Sequence, residues 1–203
     1  TDVWLVPTAG GEARTLASSP VGDDTPRWSS DGRWVAFLSE RPRPGAKADD
    51  AGEAKRQVWL IRPDGGEAVP LTEAPGSISD FEWSADGRTI AFIAREPKTE
   101  ERKRREKERD DAWTPYDSYT WSRLWAIDVA TRQPRQLTTG RQLHVTGLSL
   151  SPDGQTVAYT VAASNLDEDR RQSDLWRVGF DGQDRTQLTA TPKHDEWAPA
   201  WSP

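Results

Sequence analysis

Cysteine is absent from this 203-residue chain. Disulfides, thiolate metal sites and cysteine nucleophiles are therefore excluded, and a cytoplasmic setting is the compatible expectation. Methionine is absent too, even at position 1, so the chain reads as processed, excised or renumbered. Asn165 is the single asparagine, and Arg outnumbers Lys 21 to 6. That bias suits a heat-tolerant source and equally a high genomic GC content. An excess of positive charge is missing: the net charge is −6 and the pI about 5.1. Nucleic acid, which needs a basic face, is not an expected partner. No apolar run approaches the roughly 18 residues of a membrane span, and no secretory stretch opens the sequence, so no membrane partner is expected. Hydrophobic residues make up only 34 %, with a mean hydropathy of −0.84.

What is abundant is tryptophan. Eleven are present, each able to bury a large apolar area, so a few per structural unit can fill the space between adjacent sheets. They sit in a repeat. One phrase reads Trp28-Ser-Ser-Asp-Gly-Arg-Trp-Val-Ala-Phe37, Trp83-Ser-Ala-Asp-Gly-Arg-Thr-Ile-Ala-Phe92 and Leu150-Ser-Pro-Asp-Gly-Gln-Thr-Val-Ala-Tyr159, and it begins again at Trp201-Ser-Pro203. A second reads Asp2-Val-Trp-Leu-Val6, Gln57-Val-Trp-Leu-Ile61, Arg123-Leu-Trp-Ala-Ile127 and Asp174-Leu-Trp-Arg-Val178. The first phrase starts at 28, 83, 150 and 201, with gaps of 55, 67 and 51. The Trp of the second lies at 4, 59, 125 and 176, with gaps of 55, 66 and 51. Two patterns keeping step describe one recurring unit of about 50 residues, stretched where loops are inserted.

Each unit divides into four short strands. Ile78-Ser-Asp-Phe-Glu-Trp83 alternates apolar and polar residues, as a strand with one buried face does. Ala85-Asp86-Gly87-Arg88 is a turn, in which Asp bonds its own backbone two residues on and Gly takes a positive φ. Thr89-Ile-Ala-Phe-Ile93 is β-branched and aromatic. Leu124 to Ile127 is the third strand, and Arg135-Gln-Leu-Thr138 the fourth after a polar turn. Leu71-Thr72 and Leu188-Thr189 close the fourth strand elsewhere, as Thr15-Leu16 does in the first copy. Four antiparallel strands repeated about an axis make a β-propeller blade. The expected fold class is all-β, a partial β-propeller with one inserted charged helix. Residues 1–19 would end one blade, 20–73 form a blade, 74–140 a blade with a helical insertion at about 96–112, 141–190 a blade, and 191–203 the first strand of the next. The alternative, an ordinary β-sandwich, does not repeat in fixed register. Such an array has open edges, and we expect it to belong to a longer polypeptide rather than to live alone.

Two insertions separate second and third strands. Glu40 to Arg56 is rich in Pro, Ala, Gly and charge and reads as a mobile loop. In the other, Glu100 to Arg109 consists of strong helix formers, with favourable i,i+4 pairs Glu100–Arg104 and Glu101–Arg105. Eight basic and seven acidic residues lie between Arg95 and Asp111, so this is no nucleic-acid arm. A solvated helix is the plain reading. A docking arm or a homo-oligomer contact through 95–121, or through the open blade edges, is the functional one. It draws on the aromatics Trp113, Tyr116, Tyr119 and Trp121.

No Gly-x-Ser-x-Gly elbow occurs, nor any His-Glu-x-x-His or calcium-loop spacing. His144 and His194 precede successive first strands and read as surface or strand-end residues. The pairs Asp23-Asp24, Asp49-Asp50 and Asp110-Asp111 read as solvated loops, and Asp31, Asp86 and Asp153 as turn residues. No catalytic residue, cofactor site or metal site is expected in this chain.

These phrases, followed by Leu-Thr, resemble the propeller repeats of two families. One is the periplasmic translocation protein TolB. The other is the N-terminal domain of prolyl-oligopeptidase-family serine peptidases, especially the acylaminoacyl peptidases. The charged helix ending in Arg-Asp-Asp-Ala-Trp113 and the run Tyr116 to Asp128 look like the acylaminoacyl-peptidase insertion, whereas TolB repeats are more compact. The peptidase resemblance implies a seven-bladed propeller joined to a C-terminal α/β-hydrolase domain of the same polypeptide bearing Ser, Asp and His. The propeller there restricts entry to short or N-acylated peptides. None of that triad lies in this sequence, which holds about half a propeller. A TolB-like chain would instead be a periplasmic protein-binding module without hydrolase activity.

Overall fold

The computed structural model of the chain describes residues 1–45, 54–108, 120–140, 143–164, 166, 169, 171–191 and 194–202. Strands β1 (Val3–Leu5) and β2 (Arg14–Ala17) form a two-stranded sheet. Three four-stranded sheets follow. The first holds β3 (Asp23–Trp28), β4 (Val35–Ser39), β5 (Gln57–Ile61) and β6 (Val69–Pro70). The second holds β7 (Ile78–Trp83), β8 (Thr89–Arg95), β9 (Ser122–Asp128) and β10 (Pro134–Gln136). The third holds β11 (His144–Leu150), β12 (Thr156–Ala162), β13 (Asp174–Gly179) and β14 (Thr186–Gln187). Within each sheet the strands pair antiparallel in chain order. The chain is a partial β-propeller of four-stranded antiparallel blades with one inserted helix.

The recurring phrases occupy equivalent registers. Phe37 pairs Trp59, Phe92 pairs Trp125 and Tyr159 pairs Trp176 across the central strands. Each first pair also carries an irregularity: at equivalent places between Ile78 and Asp80 and between Val145 and Gly147, and slightly nearer the hairpin between Asp24 and Arg27. Pro26 falls inside the last of these, where its missing N–H breaks no ladder bond.

Sheets stack face to face. Val35, Phe37, Trp59 and Ile61 pack toward Val3, Leu16 and Ala17 of the two-stranded sheet. The alternate residues Ala36, Leu38, Val58 and Leu60 pack on Phe81, Ile90 and Phe92 of the next sheet. Ala91, Ile93, Leu124 and Ala126 meet Val145, Leu148, Val157 and Tyr159 in the same way. Strands β4 and β5 are consequently buried at every residue, because both pleat faces are covered. Each of these large side chains contributes roughly 1.5–3 kcal/mol of burial. Within the second sheet the cross-strand partners Phe92 and Trp125 stack at 6.3 Å and 13°.

Two side-chain devices explain why the phrases recur. In the first hairpin the Ser29 hydroxyl donates to Asp31 (2.7 Å) and accepts the Trp34 N–H (2.9 Å). Asp31 in turn accepts the Arg33 N–H at 3.0 Å, and Gly32 supplies φ 68°. Ser84–Asp86 and Ser151–Asp153 repeat the arrangement at 2.6 and 2.5 Å. The second device is the Thr after Leu. Thr72, Thr138 and Thr189 accept the N–H groups of Val58, Leu124 and Leu175 at 2.9, 2.9 and 2.8 Å. The fourth strand leaves the third there, and the hydroxyl takes the N–H it abandons.

The insertion differs from its expected bounds. Helix α1 runs Glu100–Glu108, not from about 96. The Glu96 N–H donates to the Trp121 carbonyl (2.7 Å), prolonging the β8–β9 ladder, and Pro97 has no N–H to give. Thr99 then caps the helix by accepting the Arg102 N–H at 3.2 Å. Glu101–Arg105 pairs at 3.0 Å, but Glu100 pairs with Lys103 at i,i+3 instead of Arg104. Trp113, Tyr116, Tyr119 and the rest of 109–119 lie outside the described residues, as do 46–53 in the other insertion. The arms of that loop are tied down: Arg41 binds Asp23, Arg43 pairs with Glu73 at 3.0 Å and Arg56 pairs with Asp24.

Residues 194–202 form no strand, since no described strand pairs with them. They are held instead by side chains and by a backbone bond from the Glu196 N–H to the Ser173 carbonyl at 3.1 Å. Trp201 donates its indole N–H to the Ser149 carbonyl (3.0 Å), and Glu196 accepts the Leu175 N–H (3.0 Å).

Candidate functional site

The first strands of successive sheets, β3, β7 and β11, neighbour one another, and their polar residues meet there. Arg27 on β3 reaches Asp80 at 3.0 Å and Glu82 at 3.5 Å on β7, and its guanidinium lies 5.4 Å over the Phe81 ring. Trp83 donates its indole N–H to the Arg27 carbonyl at 3.2 Å. Between the second and third sheets the pattern changes, because Leu150 stands where the other copies have Trp. There Glu82 accepts the Leu150 N–H at 2.7 Å. Burial pushes the Glu82 carboxyl above the usual range, against the opposing pull of this N–H and of Arg27. The inner wall is thus cross-linked blade to blade by an ion-pair cluster and indole bonds. Arg27, Asp80 and Glu82 were not singled out from sequence. The available signal was the alternation of charged with apolar positions in Asp80-Phe-Glu82, which marks a strand whose second face is polar.

The residues weighed from sequence are not brought together. His144 is buried at the start of β11, where Nδ1 accepts the Ser122 backbone N–H at 3.2 Å. His194 lies near Glu196, whose carboxyl is held below the usual range chiefly by the Thr189 hydroxyl. Asp31, Asp86 and Asp153 sit in the three hairpin turns. Their carboxyls are held below the usual range first by the Ser hydroxyl two residues earlier and next by a backbone N–H. Asp23 corrects the solvated-loop reading, being 1 % exposed within β3. Its Oδ2 binds Arg41 at 2.5 Å, whose guanidinium lies over Phe37 and Trp59 at 5.1 and 5.3 Å. A paired arginine is what lets a carboxylate stay in such a place. Its Oδ1 has no partner among the described residues. Asp49-Asp50 and Asp110-Asp111 lie outside the described residues. Among the described residues no group of three His, Cys, Asp or Glu side chains is placed to hold a metal ion.

No family model matches the chain. It is similar to an uncharacterized peptidase, YuxL, of Bacillus subtilis, with 25 % identity over 189 residues, covering 86 % of this chain and 27 % of that protein. It is also similar to the Tol-Pal system protein TolB of Anaeromyxobacter dehalogenans, with 35 % identity over 204 residues, covering 98 % and 37 %. Among solved structures, Pyrococcus horikoshii acylaminoacyl peptidase superposes with TM-score 0.58 at 16 % identity, over 92 % of this chain and 27 % of that one. TolB from Acinetobacter baumannii superposes with TM-score 0.56 at 17 % identity, over 94 % and 38 %. The chain therefore spans 27 to 37 % of the length of these curated relatives. The resemblance to peptidase propellers and to TolB propellers holds in both sequence and fold.

Proposed function

We propose that the chain is a non-catalytic propeller segment of an acylaminoacyl-peptidase- or oligopeptidase-like serine hydrolase, and that it restricts substrate access to the active site. Its partner is the α/β-hydrolase domain of the same polypeptide, and the substrates are short or N-acylated peptides. The inner-wall cluster of Arg27, Asp80 and Glu82 is the observation that carries this reading. It ties neighbouring blades where they converge, and a rigid wall at that place excludes folded chains by size. Similarity to peptidases adds support.

The test is a peptide-length series on the longer protein. Glu82→Ala cuts the tie between the second and third sheets, and it raises kcat/KM for long peptides relative to short ones. An unchanged ratio overturns the access role, and coding sequence without a Gly-x-Ser-x-Gly segment overturns the hydrolase. A second reading is a TolB-like protein-binding module without hydrolase activity. The 35 % identity across almost the whole chain favours it, and a hydrolase-free coding sequence is the finding that would select it.

A further inference from the structure

Where α1 leaves the second sheet, a cleft of about 440 Å³ opens between the first and second sheets. In a chain of net charge −6, its lining is the reverse in sign. Lys55, Arg95, Lys98, Arg102 and Lys103 border it, and Glu96 is the one carboxylate among the lining residues. Glu96 is already bound to Arg123 at 2.7 Å, and the Arg123 side chain is only 4 % exposed.

The floor is a built structure. Buried Gln57 donates to the Gly76 carbonyl (3.2 Å) and accepts the Ala74 N–H (2.8 Å) and the Thr72 hydroxyl (2.9 Å). A Cβ at Gly76 would lie 2.4 Å from the Arg95 carbonyl, so the connecting loop hugs the end of β8 and only glycine fits. Backbone bonds then fix the two cations on either side. Arg56, next to Lys55, accepts the Ile78 N–H at 2.8 Å and donates its own N–H to the Ser77 hydroxyl at 3.2 Å. Arg95 donates its N–H to the Ser77 carbonyl at 3.1 Å. Lys55 and Arg95 are exposed, and neither side chain has an ion pair among the described residues. Across from them Arg102 donates to the Thr120 hydroxyl at 2.7 Å and Lys103 pairs with Glu100.

We infer that this cleft binds an acidic peptide, with Lys55 and Arg95 receiving its carboxylates. Positive groups spread over two blades and a helix turn offer several separate anchor points, which suit an extended chain bearing several carboxylates. A single small anion would use only part of the lining. The site stands independently of any hydrolase domain.

The test is fluorescence anisotropy of a labelled penta-glutamate peptide with the 203-residue chain at low ionic strength. Saturable binding is expected. Lys55→Glu with Arg95→Glu should weaken it at least roughly tenfold, because two favourable charges become unfavourable. Arg33→Glu, an exposed reversal on a distant hairpin, should leave it unchanged. If the double variant melts early, Arg95→Gln alone must still weaken binding. Absence of saturable binding, equal weakening by Arg33→Glu, or tighter binding of inorganic phosphate than of the peptide would each overturn the assignment.

Discussion

Trp4 and Trp59 occupy the same place in the same words, Val-Trp-Leu, on β1 and β5. Trp59 is 2 % exposed and Trp4 is 55 % exposed. The first-phrase tryptophans differ likewise: Trp83 is half-buried with its indole N–H on the Arg27 carbonyl, whereas Trp28 is 53 % exposed. Local sequence is nearly constant within each pair. What differs is cover from the preceding sheet: it encloses Trp59 and packs against Trp83, whereas the two-stranded sheet leaves Trp28 exposed. A tryptophan in these phrases stabilises the fold where a neighbouring sheet covers it.

The comparison can be broken by mutation. Trp59→Ala should cost roughly 3–5 kcal/mol, as large core truncations do. Trp4→Ala should stay within about 0.5 kcal/mol. Urea titration measures both, and equal losses would remove the distinction. Thr138→Val comes next, at about 1–3 kcal/mol, because the buried Leu124 N–H loses its acceptor. In the two-stranded sheet Ala17 holds the equivalent place, since Thr15 pairs with Trp4 as Gln136 does with Trp125, so Thr15→Val removes no such bond and should have a weak effect.

Asp86→Ala should cost about 1 kcal/mol at neutral pH through the lost hairpin bonds. Asp86 titrates below its ordinary 3.8 in the folded chain. Its stabilisation is thus present above that value and lost as pH falls through the folded one. The gap between wild type and variant should close in acid. Glu82 runs the other way: its raised carboxyl favours folding below 4.5, and that contribution fades as pH rises through its folded value. Melting temperature against pH for both variants separates the two signs.

The smallest effect sharpens the repeat itself. Tyr159 stands where the other copies have Phe37 and Phe92. Its hydroxyl is buried without a partner among the described residues, and burial pushes its pKa up to about 12. Tyr159→Phe should be neutral or stabilising by up to about 1 kcal/mol in thermal or urea melts.

The blades were legible because side-chain period, Asp-Gly turns and β-branched runs are local properties repeated in register. Their pairing order followed, since sequential hairpins leave little choice. The start of α1 was not legible, because Glu96 is claimed by a ladder bond to Trp121 that helix propensity does not register. Asp23 was misread because its compensating Arg41 lies 18 residues away. The cross-linked inner wall and the basic cleft were missed for the same reason: both are assembled from different blades, and only the stacking brings their charges together.

Hydrogen exchange of the indole N–H groups, followed residue by residue by NMR, probes the stacked-blade architecture most directly. Slow exchange is expected at Trp59, enclosed between sheets, and at Trp83, bonded to the Arg27 carbonyl, with fast exchange at Trp4 and Trp28. Similar rates at all four would contradict the stacking of these repeats as propeller blades.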